Sequence, residues 1–377
     1  MNRLPIVAAI GGFLIGVLLI SMAAICPPLH AASAGKTRTY YIAAEEATWD
    51  YAPAGRDVVM GMDFDDDATE FVGRSADRIG SKYKKAIFVE YTDATFKERK
   101  PRPAAWQHLG ILGPIIHAQV GDKIRVVFHN KASRPYSIHP HGVFYTKANE
   151  GALTDDGTSE AEHAGGAVAP ESTYVYQWDV PARAGPGPSD LSSVVWPYHS
   201  NVDSVRDANT GLVGAIIVTA AGAGKADGSP AGVDREFVTL FNIFDENQSW
   251  YLDHNIAELP EKRTALDRKD AGFVESNHKH TINGYLFGSM PMPTMKIGER
   301  VRWYLLGLGT EADLHTPHWH GNTVTVGGHR VDTVSLLPAT SVVADMVPDD
   351  PGIWMFHCHV NDHITGGMTA RYEVLEK

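Results

Sequence analysis

Val120-Gly-Asp-Lys-Ile-Arg-Val-Val-Phe128 reads as a turn feeding a strand of alternating polarity, and Ile297-Gly-Glu-Arg-Val-Arg-Trp-Tyr-Leu305 repeats it. The likeness continues outward from both. His139-Pro-His141-Gly142 follows the first copy, and His318-Trp-His320-Gly321 follows the second. Pro170 to Pro181 answers to Pro338 to Pro348. Each leads to a matched third segment, Tyr198-His-Ser-Asn-Val202 in one half and Phe356-His-Cys-His-Val360 in the other. The chain is an internal duplication. From Gly35 onward both halves read as short strands divided by Gly, Pro and Asp turns, with few long helical periodicities. That pattern predicts an all-β protein of two tandem Greek-key β-sandwich domains, residues 35–219 and 235–377. The Ala/Gly-rich run 220–234 between them reads as a flexible linker.

Composition agrees. A chain of 377 residues can bury two cores, and 44% apolar with 21% charged residues is a globular balance. The net charge of −12 argues against nucleic acid as a partner, because phosphate binding needs a basic face. Residues 1–34 stand apart from the fold. Arg3 precedes an uncharged, mostly apolar run from Leu4 to Cys26, and Ala32-Ser33-Ala34 is a small-residue cleavage pattern. This segment reads as a signal peptide or, uncleaved, as a membrane anchor. The expectation is an exported protein, secreted, periplasmic or tethered to the outer face of a membrane, touching a membrane only through that anchor. The chain has two cysteines, Cys26 and Cys358. Loss of the leader leaves Cys358 without a disulfide partner, which calls for another role.

Residues two apart on a strand point to the same face, and the residue between them points the other way. His357-Cys358-His359 therefore aims two imidazoles at one site and a thiolate at another, a few covalent bonds away. Cys358 with His315 and His363, and the Met368 thioether as a distant fourth ligand, matches a blue-copper electron-transfer site. Zinc accepts Cys and His, but gains little from Met. The pairs His139/His141, His318/His320 and His357/His359, with His199, supply imidazoles for a second, multi-copper site able to bind dioxygen. His108, His117, His129, His163 and His329 lack such a pattern and are read as ordinary histidines.

These motifs resemble the multicopper oxidases, within them the two-domain laccase-like members, and most closely ceruloplasmin and the A domains of coagulation factors. His139-Pro-His-Gly, His315-Thr-Pro-His-Trp-His-Gly and His357-Cys-His-Val-Asn-Asp-His-Ile-Thr-Gly-Gly-Met368 are similar to that family's copper signatures. Tyr40-Tyr-Ile-Ala-Ala-Glu-Glu, Arg78-Ile-Gly-Ser-Lys-Tyr-Lys-Lys, Gly110-Ile-Leu-Gly-Pro and Phe244-Asp-Glu-Asn-Gln-Ser-Trp extend the likeness along the chain. The resemblance implies cupredoxin-like domains and up to four coppers per protomer. His315, Cys358, His363 and Met368 would hold the type 1 copper, and His139 and His318 the type 2. His141, His199, His320, His357 and His359 would hold the type 3 pair. It also implies a ring-shaped homotrimer with the cluster between subunits. Two departures stand out. Tyr136 and Ser200 occupy the positions of His315 and Cys358, so only the second domain should be blue. Asn201 replaces a family histidine, which weakens the cluster and implies fewer coppers.

The resemblance further implies an electron donor. Glu275-Ser-Asn-His-Lys-His280, with Asp362 beside His363, looks like the iron site of ceruloplasmin-like proteins, making Glu275, His280 and Asp362 an expected Fe(II) site. The favoured function is a ferroxidase: Cys358, His357 and His359 carry electrons, and dioxygen is reduced to water. Alternatives are a laccase-like oxidase of phenols or aromatic amines, and a copper-binding electron-transfer protein with a cluster disabled at Asn201. A copper nitrite reductase is disfavoured, because that family keeps its blue copper in domain 1. Asp155-Asp156 resembles a calcium site of the A domains but reads more simply as an acidic solvated turn.

Overall fold

The computed structural model describes residues 35–259 and 266–377; the expected leader, with Cys26, lies outside them. The repeated strands form as expected, at Lys123–Asn130 and Val301–Gly307. Each is entered through a turn glycine in the left-handed region, Gly121 at φ 99° and Gly298 at φ 80°, which side chains rarely adopt. In the first half, Lys123–Asn130 lies between Thr37–Asp50, to which it runs parallel, and antiparallel Thr173–Asp179. In the second, Val301–Gly307 lies between Arg235–Asp245, also parallel, and antiparallel Ser341–Met346. The duplication is thus one of topology as well as sequence.

Each half adds a second, four-stranded sheet that carries histidines. In the first half its order is Ile116–Gln119, Val213–Thr219, Ser193–His199, His139–Pro140. In the second it is Thr294–Lys296, Thr369–Leu375, Gly352–Cys358, Pro317–Trp319. Both end in the same pairing. His139 stands opposite His199, and His318 stands opposite His357. The sheet registers alone bring imidazoles from distant sequence side by side.

Large aromatics fill the space between sheets, Phe88, Phe128, Tyr176 and Trp178 in the first half, Trp303, Trp319, Phe356 and Tyr372 in the second. A third core joins the halves, with Tyr51, Tyr83 and Ile217 packing in one cluster with Val238, Phe244 and Tyr304. The Ala/Gly run is not loose. Its backbone closes on itself through Ala231 N–H to the Ala223 carbonyl at 2.7 Å, and Gln119 and Arg38 tie it down. Composition alone suggested flexibility; long-range side chains supply the missing partners.

Candidate metal centres

The first site forms where Gly352–Cys358 pairs with Pro317–Trp319 and runs into the short helix Asn361–Thr365. Cys358 Sγ lies 3.4 Å from His363 Nδ1 and 4.0 Å from His315 Nδ1, and the two nitrogens are 3.2 Å apart. His315, Cys358 and His363 form a three-ligand cluster, all buried. Met368 is also buried, its backbone bonded to Cys358 and to His363. Burial pushes the thiol up, but hydrogen bonds from His315, His363 and backbone amides outweigh it and hold the pKa at about 6. The sulfur is thus largely thiolate at neutral pH, the form that binds metal. Two soft sulfurs and two imidazoles fit copper better than any hard cation.

Asp313 completes this site and was not anticipated. Its Oδ1 lies 3.1 Å from His315 Nε2, so that nitrogen donates and Nδ1 is left free toward the sulfur. Amides of Ile243 and Thr310 fix the carboxylate. The sequence carried no signal for it, since an aspartate two residues before a histidine is commonplace.

The remaining histidines make two triads, His139/His141/His199 and His318/His320/His357. In each, two imidazoles meet through Nε2 at 3.1 Å, His141 with His199 and His320 with His357. Backbone carbonyls receive the opposite nitrogens. His139 Nδ1 donates to Glu150 at 2.7 Å, His199 to Ser200 at 2.9 Å, His318 to Asp332 at 2.9 Å and His357 to Cys358 at 2.7 Å. These bonds fix the tautomer that leaves Nε2 as a metal-binding lone pair. Burial, reinforced by neighbouring histidines, holds His141 and His357 at about pKa 4, neutral and ready to ligate at pH 7. His359 is exposed at the edge of the second triad, its ring 5.4 Å from that of His357. His357 and Cys358 fall in different clusters, His357 with His318 and His320 and Cys358 with His315 and His363.

The first-half counterparts bear no soft ligand. Tyr136 is buried against the Tyr251 hydroxyl, and Ser200 donates to Asp207 at 2.7 Å. Asn201 N–H donates to the Ser137 hydroxyl at 3.0 Å. The three residues expected to hold iron do not gather into a three-ligand cluster among the described residues. His280 is buried with its ring 5.3 Å from that of His363, whereas Glu275 and Asp362 are exposed. Glu275 instead meets His278 Nδ1 at 3.2 Å, and Asp245 lies 3.6 Å from the other nitrogen of that ring. In the acidic turn, the Lys147 ammonium pairs with both Glu150 and Asp156.

Comparison with known proteins agrees with this geometry. Two family models, both described as multicopper oxidase, match residues 88–222 and 258–377, together more than half of the chain. The chain is 46% identical over 341 residues to ferroxidase HEPHL1 of Mus musculus, with 90% of the chain and 29% of that protein covered. It is 43% identical to human hephaestin, with 90% and 29% covered, and 44% identical to rat ceruloplasmin, with 89% and 32% covered. The chain thus spans about a third of the length of these relatives. Among solved structures, a multicopper oxidase superposes with a TM-score of 0.57 at 18% identity, covering 90% of this chain and 89% of the other. The copper nitrite reductase of Nitrosomonas europaea does so with a TM-score of 0.55 at 15% identity, covering 90% and 94%. At such identities they share the fold. With its signatures, donor sets and relatives in agreement, the chain belongs to the multicopper oxidases.

Proposed function

We propose that this chain is a copper-dependent oxidase coupling one-electron oxidation of ferrous iron to reduction of dioxygen to water. Its mouse relative is named a ferroxidase. One observation carries the reading: Cys358 belongs to the thiolate site while His357, joined to it by one peptide bond, belongs to a histidine triad. Copper would supply a one-electron acceptor at His315, Cys358, His363 and Met368, and a dioxygen-reducing cluster at the triads. The chain's residues do the rest. Burial keeps water from the thiolate site, Asp313 orients His315, and the Cys358–His357 bonds give electrons a short covalent route. Exposed Asp362, beside His363, and Glu275 are the proposed hard ligands that draw iron to this surface.

Each triad gathers its own ligand atoms within the reach of one metal ion, and a cluster built from both triads across two copies of the chain is part of this proposal. Exposed Phe144 and Leu153 flank the first triad's loops, and exposed Leu314 and Leu337 lie beside the segments bearing His315 and His318. Such apolar groups suit a heterologous interface in a cyclic homotrimer. Type 2 copper on His139 and His318, and type 3 coppers on His141, His199, His320, His357 and His359, follow from that assembly. We further propose export, from the leader. Among the described residues no helix is long and apolar enough to cross a membrane.

The deciding experiment is dioxygen uptake by the copper-loaded protein given Fe(II), with Cys358→Ser as the autoxidation control. Uptake well above that control is expected, with loss of the blue absorption in the variant. A blue, active Cys358→Ser protein would end the assignment. Asp362→Ala should depress Fe(II) oxidation and spare oxidation of a simple phenol. Equal loss of both would favour the phenol-oxidase alternative.

A further inference from the structure

The first half repeats the backbone frame of the thiolate site but closes it around an aspartate. In the second half Thr316 N–H lies 3.3 Å from Cys358 Sγ, and His359 N–H donates to Thr316 Oγ1 at 3.1 Å. The first half has both bonds at the matching positions. Ser137 N–H donates to Ser200 Oγ at 3.0 Å, and Asn201 N–H donates to Ser137 Oγ at 3.0 Å. Where the Cys358 sulfur faces His315 and His363, the Ser200 hydroxyl donates to Asp207.

Asp207 lies in the helix Ser204–Thr210 and is fully buried, as are Ser137 and Ser200. One carboxylate oxygen accepts from Ser200 Oγ at 2.7 Å, from Val202 N–H at 3.0 Å and from Asp203 N–H at 3.2 Å. The other accepts from Trp250 Nε1–H at 2.8 Å. Burial pushes the Asp207 carboxyl up, and these donors offset part of that. Trp250 belongs to the second half, and the guanidiniums of Arg134 and Arg206 cover its ring at 3.7 and 4.4 Å from the centre. The anchor is thus held across the joint. An ionised carboxylate accepts on both sides, whereas an amide in its place would turn an N–H either toward the loop donors or toward the indole.

From Asp207 the bonds run on to two imidazoles. His199 Nδ1 donates to the carbonyl of Ser200 itself. Ser137 Oγ donates to the Gly151 carbonyl at 2.7 Å, one residue beyond the Glu150 carbonyl that receives His139 Nδ1. Those two carbonyls are what leave Nε2 of each ring free for a metal. We propose that Asp207 is a positioning residue of the first triad, setting through Ser200 and Ser137 the carbonyls that fix the tautomers of His199 and His139. The proposal rests on the reading of His139, His141 and His199 as copper ligands.

The test compares the copper-loaded full chain with Asp207→Asn and Asp207→Asn/Trp250→Phe. The double variant removes the indole N–H but keeps a ring under the guanidiniums, so the asparagine oxygen is free to face the loop. Copper per chain, the type 2 EPR signal and the blue absorption are measured, with NMR of the imidazole nitrogens in the copper-free proteins. In Asp207→Asn, copper retention at the triad should fall by about tenfold or more. The type 2 hyperfine splitting should change, His199 should show mixed tautomers, and the blue absorption should persist. The double variant should recover most of the lost copper. Unchanged triad copper and EPR in Asp207→Asn, or a double variant no better than the single, would overturn the proposal. Joint loss of blue and triad copper would also overturn it, because that marks a general loss of fold. A parent chain that holds only the blue copper would overturn the cluster reading, while the imidazole tautomers of the copper-free variants would still decide the positioning role.

Discussion

At His315 the imidazole faces Cys358 through Nδ1 because Asp313 holds its other nitrogen. Burial works against a charged His315, but Asp313 and the Cys358 sulfur outweigh it and raise its pKa. Asp313 thus stabilises positive charge on the ring, whether a proton or a metal ion brings it. The carboxylate still favours the metal-bound form, because it makes His315 a better donor. Asp313→Ala should weaken copper retention at the blue site by about 10–100-fold. It should also shift the site's reduction potential, which a purely structural role would leave unchanged. Copper titration and redox titration of the blue absorption check both. That these histidines and Cys358 would cluster was legible, since the alternation around Cys358 and the repetition of His-x-His carry their own logic. Asp313 was not, because its role depends on a loop folded by amides of Thr310 and Ile243 that are distant in kind from any motif. The iron reading shows the converse. The spacing of Glu275 and His280 was clear, yet His280 turns inward against His363 while Glu275 meets His278.

A histidine pair on a short strand needs something to end the strand and hold it at one register. Gly142 and Gly321 do this in the two halves, both at φ 73°. A Cβ there would stand 2.2 Å from the Trp196 ring in one half and 2.4 Å from the Trp354 ring in the other. Each indole thus packs where a side chain would lie, and its Nε1–H donates to a carbonyl, Ala184 in the first case and Asp350 in the second. The glycine was visible as part of each motif; its tryptophan, distant in sequence, was not. Gly321→Ala adds the left-handed strain of an L residue, about 1 kcal/mol, to displacement of a packed indole. We expect a loss of about 2–4 kcal/mol in all. Denaturant melting should show it, and the variant should lose cluster copper before blue copper, since His318 and His320 precede the glycine directly. Retention of both would mean that strand register does not depend on this turn.

Across the whole molecule, the joint between halves and the distribution of ligands determine what the chain does alone and what it does in company. Lys85 of the first half and Glu246 of the second are fully buried as an ion pair, with the Lys85 ammonium also bonded to the Tyr51 hydroxyl and the Asn209 carbonyl. Burial pulls the lysine's pKa down while Glu246 holds it up, so each charge depends on the other. Lys85→Met should cost about 3–5 kcal/mol by stranding the carboxylate, and Lys85→Met/Glu246→Leu should recover most of it. The pair fixes the halves against each other, and with them the positions of the two triads. In the proposed trimer, the cluster takes the first-half triad of one copy and the second-half triad of its neighbour. Complementation tests this directly. His141→Ala and His320→Ala chains are each expected to be inactive as homotrimers. Refolded together in equal amounts, they place an intact first-half triad against an intact second-half triad at about one interface in four, by random assortment in a cyclic assembly. Dioxygen uptake should therefore return to about a quarter of the parent value. No recovery, in a mixture shown by light scattering to have formed mixed trimers, would place the whole cluster within a single chain.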